Sequence, residues 1–375
     1  MSVCKPGAPV SHPDFGDGIV LQKIGAVVRV DFFGEPIDVN EGDLTFKVQD
    51  SPKVAGARDG VLASPLSRQK YFTSIEAINL GVVPPDPDQL LHFTMNGAEL
   101  SKEIRTALDR AHTKGLSKVV LGNYGTGKTH YLQLVRAVAL KSCWIVAFVE
   151  FDPKAADPAK PHLVYRRIMS ALEFPPREDG SVAKGFIGFV KEVRAHWMQA
   201  GLADLPMLKK NPWFLRGLRA LMAHEHDEEN EDYLAGCAWL AGDSQAAAIK
   251  RLAKEVRMID SIPRMPASKE AAEIYAFHLA VVDEIAKKLG YKGLLLILDE
   301  AEHVRGYSTK RQERANHFFD YLARCAQVPM DTGDVPAPNE HGHILPEFWN
   351  DGPQFGLYVG LTPADGIPET REECV

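Results

Sequence analysis

A short run of β-branched residues leads directly into a glycine-rich loop in the first half of the chain. Residues 117–129 read SKVVLGNYGTGKT, which contains the pattern G-x-x-x-x-G-K-T. Glycines let the backbone turn tightly with positive φ, so that consecutive N–H groups point at phosphate oxygens. Apolar residues at helical spacing follow in HYLQLVRAVAL, and a helix N-terminus also favours an anion. A strand, a glycine loop and a helix in this order predict a site for a nucleoside triphosphate.

The predicted phosphate site covers nine consecutive residues. Lys128 is expected to neutralise the β and γ phosphates and to take part in catalysis, and the hydroxyl of Thr129 is expected to bind Mg²⁺. The predicted nucleotide-binding residues are Gly122, Asn123, Tyr124, Gly125, Thr126, Gly127, Lys128, Thr129 and His130.

A second motif, late in the chain, supplies acidic residues for phosphoryl transfer to water. Five consecutive apolar residues, Leu294 to Leu298, precede Asp299 and Glu300. A run that is apolar on both faces is typical of a central parallel strand, and ligands bind at the carboxyl ends of such strands. Asp299 is predicted to hold Mg²⁺, and Glu300 to polarise the attacking water as general base. The alternative is an ordinary strand that ends in an acidic loop, and the phosphate loop upstream favours the functional interpretation.

Two different sequence patterns bear on which base is bound and on how the terminal phosphate is recognised. Guanine specificity usually needs an Asn-Lys-x-Asp segment, and the sequence contains no Asn-Lys dipeptide, so ATP is the predicted nucleotide. A third strand is predicted in FGLYVGL, residues 355–361, directly before Thr362. In ATPases that insert such a strand between the phosphate-loop strand and the metal-binding strand, a polar residue at its end senses the γ-phosphate. Thr362 is the candidate for this role, and the open alternative is a hydroxyl that satisfies a turn before Pro363.

Composition indicates a globular protein. The chain has 375 residues, of which 45% are hydrophobic and 25% charged, enough for at least one substantial core. A formal net charge of -7 does not indicate a nucleic-acid-binding protein. The five cysteines are scattered, which argues against a zinc ribbon or a disulfide framework and fits a reducing compartment. The N-terminus lacks a signal peptide and no segment approaches the ~18 apolar residues of a membrane span, so we expect a soluble cytoplasmic protein without membrane association.

Residues 8–47 are predicted to form a small all-β module, an SH3-like or Tudor-like barrel. Short strand-like runs alternate there with glycine-containing turns. The pattern V-x-H-x-x-F-G-x-G-x-V at residues 10–20 resembles the small barrels of UvrD-type helicases and CarD-like transcription factors, which dock onto a protein partner such as RNA polymerase. Three basic and seven acidic residues lie between Val10 and Lys47, so protein docking is favoured over DNA binding.

The rest of the chain is predicted to be one α/β domain after a linker. Residues 48–70 are rich in Ser, Pro, Gly and Ala and form the predicted linker. The domain is expected to span residues 71–375, and Thr73-Ser-Ile-Glu76 has the spacing of a capping box that starts a short helix. A helical insertion is predicted at about residues 160–290, a natural place for a partner or substrate surface.

Three arginines follow the acidic strand closely: Arg305, Arg311 and Arg314. ATPases that assemble into rings complete each site with an arginine from the neighbouring subunit. One of the three is a candidate for that role in a homo-oligomer. The alternative, equally open, is a helix-surface arginine paired with Glu302 or Glu313.

Several segments together resemble the ATP-binding proteins of bacteriophage exclusion (BREX) systems, of the BrxD type, over residues 66–365. They are SIEAINLGVVPP, LGNYGTGKTH, VEFDP, CAWLAG, LLILDEAEHV, and RANHFFDYLA followed by LYVGLTP. The resemblance implies an AAA-like P-loop ATPase of the additional-strand catalytic glutamate class that cooperates in phage defence with DNA-modifying or DNA-translocating partners. It also implies a helical lid after the third strand, and because the sequence ends at Val375 we expect either a fragment or a lid supplied by a partner.

Two functions of different classes follow from these patterns. The first is a Mg²⁺-dependent ATPase whose hydrolysis remodels a defence complex of protein partners, with DNA reached through the complex. The second is a nucleotide-dependent scaffold or sensor with little hydrolysis, which recruits a transcription or repair partner through the N-terminal barrel.

Overall fold

The chain divides into two compact units, Met1–Glu76 and Ala77–Val375. The computed structural model describes residues 9–14, 16–24, 27–32, 35–43, 45–46, 72–77, 83–84, 87–176, 183–223, 230–243, 247–255, 271–327 and 353–363. The predicted linker at residues 48–70 lies outside the described residues. Residues 72–77 form helix α1, at the place where the capping-box spacing predicts a short helix.

The first unit contains a small antiparallel sheet in the strand order β4-β3-β2-β1-β5. The strands are β1 (Pro9–His12), β2 (Gly16–Ile24), β3 (Val27–Phe32), β4 (Glu35–Asn40) and β5 (Thr45–Phe46). Val20, Val28, Val30 and Val39 are buried, so β2, β3 and β4 present valines to a common core. The structure confirms a small β-sheet unit, whereas its assignment to one type of barrel stays a prediction.

The second unit is built on a mostly parallel sheet in the order β6-β10-β9-β7-β8. Its strands are β6 (Ser117–Leu121), β7 (Ile145–Glu150), β8 (Leu172–Glu173), β9 (Leu294–Asp299) and β10 (Gly356–Leu361). Strand β10 pairs in parallel with both β6 and β9, and only the short β8 is antiparallel to its neighbour. The third predicted strand therefore lies between the phosphate-loop strand and the acidic strand, which confirms the predicted fold class.

Helices cover both faces of this sheet. The described helices are α2 (Pro87–His92), α3 (Gly97–Lys114), α4 (Lys128–Lys141), α5 (Pro161–Ser170), α6 (Gly185–His196), α7 (Pro206–Lys210), α8 (Pro212–Ala223), α9 (Glu231–Leu240), α10 (Ala247–Glu255), α11 (Ala271–Lys288) and α12 (Thr309–Ala326). Helices α5 to α11 all lie between β7 and β9 in the chain. Among the described residues, no helix combines the length and apolar character that crossing a membrane requires.

Strand β9 shows why its sequence is apolar at every position. Leu294, Leu296 and Leu298 belong to one hydrophobic cluster, which includes residues of α5, α11 and α12. Leu295 and Ile297 belong to a second cluster, which includes residues of α3 and α4. Successive side chains of a strand point to opposite faces, so a strand with a helical layer on each face needs apolar residues throughout. Asp299 is thereby delivered to the carboxyl end of the buried sheet.

A partly buried ion pair joins α11 to β9 and to the segment before β10. Lys287 Nζ lies 2.6 Å from Asp283 Oδ2 and donates to the carbonyl oxygen of Gln354 at 2.9 Å, just before β10. The N–H of Leu294, the first residue of β9, donates to Asp283 Oδ1 at 2.7 Å. Burial raises the pKa of Asp283 to about 6, although Lys287 beside it acts in the opposite direction. The carboxylate therefore depends on Lys287 and on the Leu294 N–H for its stability inside the core.

Lys287→Met is expected to lower the free energy of unfolding by about 2 kcal/mol, because a buried carboxylate that loses its partner is strongly destabilising. The loss is smaller than for a fully buried pair, since Lys287 is partly exposed. Chemical denaturation of the whole chain at neutral pH measures this change. Lys288→Met, which removes the same charge at an exposed neighbouring position, serves as the control and should change stability by less than about 0.5 kcal/mol. Equal losses in the two variants would show that the Asp283–Lys287 pair does not stabilise the sheet.

Candidate functional site

The glycine-rich loop connects β6 to α4. Gly125 and Gly127 have φ values of 79° and 88°, a left-handed conformation that other residues rarely adopt, and Gly127 caps α4. A Cβ atom at Gly122 would lie 2.5 Å from Thr126 Oγ1, so this position also requires glycine. The Gly122 N–H donates to the carbonyl of Leu361 at 3.2 Å and ties the loop to the end of β10. The loop backbone therefore has the turns that a phosphate-binding loop needs.

The rim of the loop is open to solvent. Asn123, Tyr124, Gly125, Thr126 and Gly127 are all exposed, and the side chain of Tyr124 is 98% exposed. The Thr126 hydroxyl donates to the carbonyl of Asn123 at 2.7 Å, within the loop. The residues present fit a phosphate chain, because the loop offers backbone N–H groups at the start of a helix. The space beside Gly125 and Gly127 is open, since a Cβ atom at either position would meet no atom within 4 Å.

The predicted metal-binding residues contact each other directly. Thr129, in the first turn of α4, donates its hydroxyl hydrogen to Asp299 Oδ2 at 2.7 Å. Asp299 is 1% exposed, and its Oδ1 accepts from the N–H of Glu300 at 2.9 Å. A Cβ atom at Gly360 on β10 would press against Asp299 Oδ1, so the glycine leaves room for the carboxylate. The fold thus brings together two predicted metal-binding residues that are far apart in the chain.

The side-chain oxygen atoms of Thr129 and Asp299 are of the type that Mg²⁺ prefers. Mg²⁺ is usually bound by one or two side-chain oxygens together with water and phosphate oxygens. Within the described residues, no group of three or more His, Cys, Asp or Glu side chains is arranged to hold a metal ion. Mg²⁺ at Thr129 and Asp299 would therefore depend on the nucleotide for further ligands.

Glu300 follows Asp299 in a left-handed conformation, with φ 59° and ψ 32°. This conformation costs about 1 kcal/mol for a residue with a side chain and is concentrated at functional sites. The short 3₁₀ helix Ala301–Gly306 begins directly after it, and His303 Nε2 lies 3.2 Å from Glu300 Oε2. The Glu300 side chain is 53% exposed, so it is accessible from the solvent beside the metal-binding pair.

Thr362 lies at the end of β10 and contacts the phosphate-loop lysine. Lys128 Nζ donates to Thr362 Oγ1 at 3.0 Å, and the Thr362 hydroxyl donates to Glu302 Oε1. The side chain of the predicted sensor is thus directed at the lysine expected to bind the γ-phosphate. Glu302 appeared in the sequence only as a partner for an arginine, and its position next to Thr362 becomes visible only when β10 and β9 are paired.

Glu150 is a site residue that the sequence interpretation missed. It ends β7 and is paired in register with Asp299 on β9, so the two residues lie side by side at the carboxyl edge of the sheet. Burial, and then the nearby carboxylates of Glu300 and Asp299, raise the pKa of Glu150, while Arg167 acts in the opposite direction. The sequence pattern that could have identified Glu150 is an apolar run that ends in an acidic residue. VAFVE at residues 146–150 has this pattern, as LLILD has at residues 295–299.

The side chain of His130 forms a hydrogen bond with Thr94 and is not directed at the predicted phosphate site. Thr94, in the turn between α2 and α3, donates its hydroxyl hydrogen to the carbonyl of Leu90 at 2.7 Å. Thr94 Oγ1 therefore accepts from His130 Nε2, at 2.8 Å, and burial lowers the pKa of this histidine. The neutral imidazole anchors the start of α4 to the turn before α3, which leaves the backbone of His130 as its contribution to a phosphate site.

Arg311 is engaged within its own chain. Its Nη2 lies 2.9 Å from Oδ2 of the buried Asp157, and its guanidinium lies 3.9 Å from the ring centroid of Tyr307. The structure therefore pairs Arg311 with Asp157 and not with Glu302 or Glu313. Arg305 is exposed and Arg314 is partly buried, and no described residue forms an ion pair with either side chain.

The strand order, the glycine loop after β6 and the acidic pair at the end of β9 define the class: a P-loop nucleotide-binding domain with an additional strand between the two motifs. Residues 66–328 match the model of one protein family, the BREX system ATP-binding proteins BrxC/D. The chain belongs to this family. Comparisons with curated proteins and with solved structures gave no match. The predicted resemblance to BREX ATP-binding proteins is confirmed at the level of the BrxC/D family, over residues 66–328. The BrxD type, and the likeness of the N-terminal unit to UvrD-type and CarD-like barrels, stay predictions.

Proposed function

We propose that this protein hydrolyses ATP in a Mg²⁺-dependent reaction as a component of a phage-defence complex. The observation that carries the proposal is the 2.7 Å hydrogen bond between Thr129 and Asp299. It joins the phosphate loop and the acidic strand at one edge of a single sheet, with Glu300 and Glu150 beside them. Membership in a family of ATP-binding BREX proteins supports ATP as the nucleotide.

Each residue has a distinct role in this proposal. The loop backbone from Gly122 to Gly127 holds the phosphates, and Lys128 neutralises the charge of the terminal phosphate. Thr129 and Asp299 supply oxygen ligands to Mg²⁺, which offsets the negative charge that accumulates during phosphoryl transfer. Glu300, exposed at the rim, accepts a proton from the attacking water.

The partners follow from the family and from the surfaces of the two units. As a BREX protein, the chain is expected to act with other defence proteins, and with DNA through the assembled complex. Two surfaces support protein docking: the N-terminal sheet unit with its excess of acidic residues, and the helices α5 to α11 between β7 and β9. In a homo-oligomer, Arg305 and Arg314 are better candidates than Arg311 for completing a neighbouring site, because Arg311 is held by Asp157.

Release of inorganic phosphate from ATP tests the proposal most directly. The full chain is assayed with Mg²⁺ and with EDTA, alone and after addition of the other proteins of its defence system and DNA. Hydrolysis that requires Mg²⁺ is the expected result. ATP binding without turnover under all of these conditions would contradict it.

The second function, a nucleotide-dependent scaffold, has one observation in its favour. His303 lies 3.2 Å from Glu300, so the carboxylate that would activate water has a partner within its own chain. A protein of this kind would use ATP to select one conformation for partner recruitment. ATP-dependent complex formation with no phosphate release would support it over the ATPase.

Glu150→Gln is expected to lower the rate of phosphate release about tenfold while ATP affinity changes less than about twofold. The reason is that Glu150 lies beside Asp299 on the neighbouring strand, where its carboxylate would orient the attacking water. Steady-state turnover and nucleotide titrations measure the two effects separately. Asp152→Asn is the control, because the Asp152 carboxylate already accepts from the N–H groups of Lys154 and Ala155. Equal turnover in wild type and Glu150→Gln would remove Glu150 from the reaction.

A further inference from the structure

A carboxylate that has no role in the proposed reaction lies within the predicted binding site for the terminal phosphate. Glu302 Oε1 accepts a hydrogen bond from the hydroxyl of Thr362, which itself accepts from Lys128 Nζ at 3.0 Å. The three side chains form a continuous chain from the phosphate loop through β10 to the 3₁₀ helix after β9. Lys128 is therefore close to an anion of its own protein.

The direction of the hydrogen bonds follows from the number of hydrogen atoms. A threonine hydroxyl has one hydrogen to donate, and an ionised carboxylate can only accept. Lys128 can only donate. Thr362 must then give its hydrogen to Glu302 and turn a lone pair towards Lys128, so it has no hydrogen left for a phosphate oxygen while this contact lasts.

The surroundings of Glu302 favour its charged form. Burial acts to raise its pKa, but hydrogen bonds from the Thr362 hydroxyl and from backbone N–H groups, together with the charge of Lys128, bring the pKa below its ordinary value. Its Oε2 is buried and has no hydrogen-bond partner among the described residues. A buried carboxylate oxygen that lacks a donor interacts strongly with nearby charge, because little water screens it.

We propose that Glu302 is a specificity-determining residue that competes with the terminal phosphate of ATP for Lys128 and Thr362. The terminal phosphate of ATP must draw Lys128 away from Thr362 and the Thr362 hydroxyl away from Glu302, and the Glu302 carboxylate repels it. ADP lacks the phosphate group that reaches this position. Glu302 would thereby reduce the preference for ATP over ADP that the phosphate loop alone would give. This inference rests on the proposed binding of ATP at the loop.

Titrations of the full chain with ATP and with ADP, in the presence of Mg²⁺, test the inference. Glu302→Gln keeps the size of the side chain and an oxygen that accepts from Thr362, but removes the charge. We expect ATP affinity to rise about fivefold and ADP affinity to change less than about twofold. Glu302→Asp, which keeps the charge, should retain the ATP-to-ADP ratio of the wild type. Glu313→Gln, at an exposed position on α12, makes the same change in net charge and should leave the ratio unchanged.

An unchanged ATP-to-ADP ratio in Glu302→Gln, or weaker ATP binding, would overturn the inference. Should Glu302→Gln fail to fold, as judged by circular dichroism, Glu302→Ala carries the same expectation and the same contrary outcomes. Failure of the wild type to bind either nucleotide would contradict the proposed function itself. Wild-type binding of ATP with no response to loss of the Glu302 charge would contradict only the competition.

Discussion

Glu300→Gln is expected to lower the rate of phosphate release by at least about 100-fold, the usual scale for loss of a general base. The amide has nearly the shape of the carboxylate but cannot accept a proton from water. Because Glu300 lies outside the Lys128–Thr362–Glu302 chain, ATP affinity should change by less than about twofold. Phosphate release at saturating ATP and a separate nucleotide titration measure the two quantities.

The backbone conformation at Glu300 makes this substitution informative. Glu300 is in a left-handed conformation that glutamine can adopt as readily as glutamate, so the backbone should not rearrange. Glu313→Gln again provides a control for the loss of one negative charge. Unchanged turnover in Glu300→Gln would remove Glu300 from catalysis and would direct attention to Glu150 as the base on the adjacent strand.

Lys128→Ala is expected to weaken ATP binding about 50-fold or more, since a charge-assisted contact with phosphate in a partly buried site contributes about 2 to 3 kcal/mol. The loss has a second cause in this protein, because Glu302 would then face the terminal phosphate without a cation between them. Titration with a fluorescent ATP analogue, checked by calorimetry with ATP, measures the change in affinity.

Lys118→Ala offers a matched control for this prediction. Lys118 is exposed on β6, ten residues before Lys128, and its substitution removes the same charge from the same region. ATP affinity in Lys118→Ala should stay within about twofold of the wild type. Similar affinities in the two variants would mean that the loop does not bind the triphosphate.

The fold class could be predicted because its signals are local. Gly122 to Thr129 must satisfy the backbone geometry of a phosphate loop, and that geometry depends on the residue types at those positions. Leu294 to Leu298 indicate a strand buried on both faces, which the two hydrophobic clusters confirm. The position of β10 between β6 and β9 followed from membership in an ATPase class and is confirmed by strand pairing.

Other features of the site escaped prediction because they depend on register and on side-chain direction. Glu150 could be recognised beside Asp299 only from the alignment of β7 with β9. For Arg311 the sequence left open a role at a neighbouring subunit or a surface pair with Glu302 or Glu313. It forms an ion pair with Asp157, which is distant in sequence and fully buried. His130 was predicted as the last nucleotide-binding residue, and its imidazole instead contacts Thr94.

The sequence by itself determined that a glycine loop precedes a helix, that an acidic pair ends a buried strand, and that the chain belongs among ATP-binding BREX proteins. The first two conclusions depend on backbone conformation and on periodic burial, which neighbouring residues specify. The third depends on a resemblance that the family model confirms. Only the tertiary structure decided that Thr129 contacts Asp299 and that Thr362 lies between Lys128 and Glu302. Such contacts join residues from separate strands and helices, and their distances are set by sheet order and register.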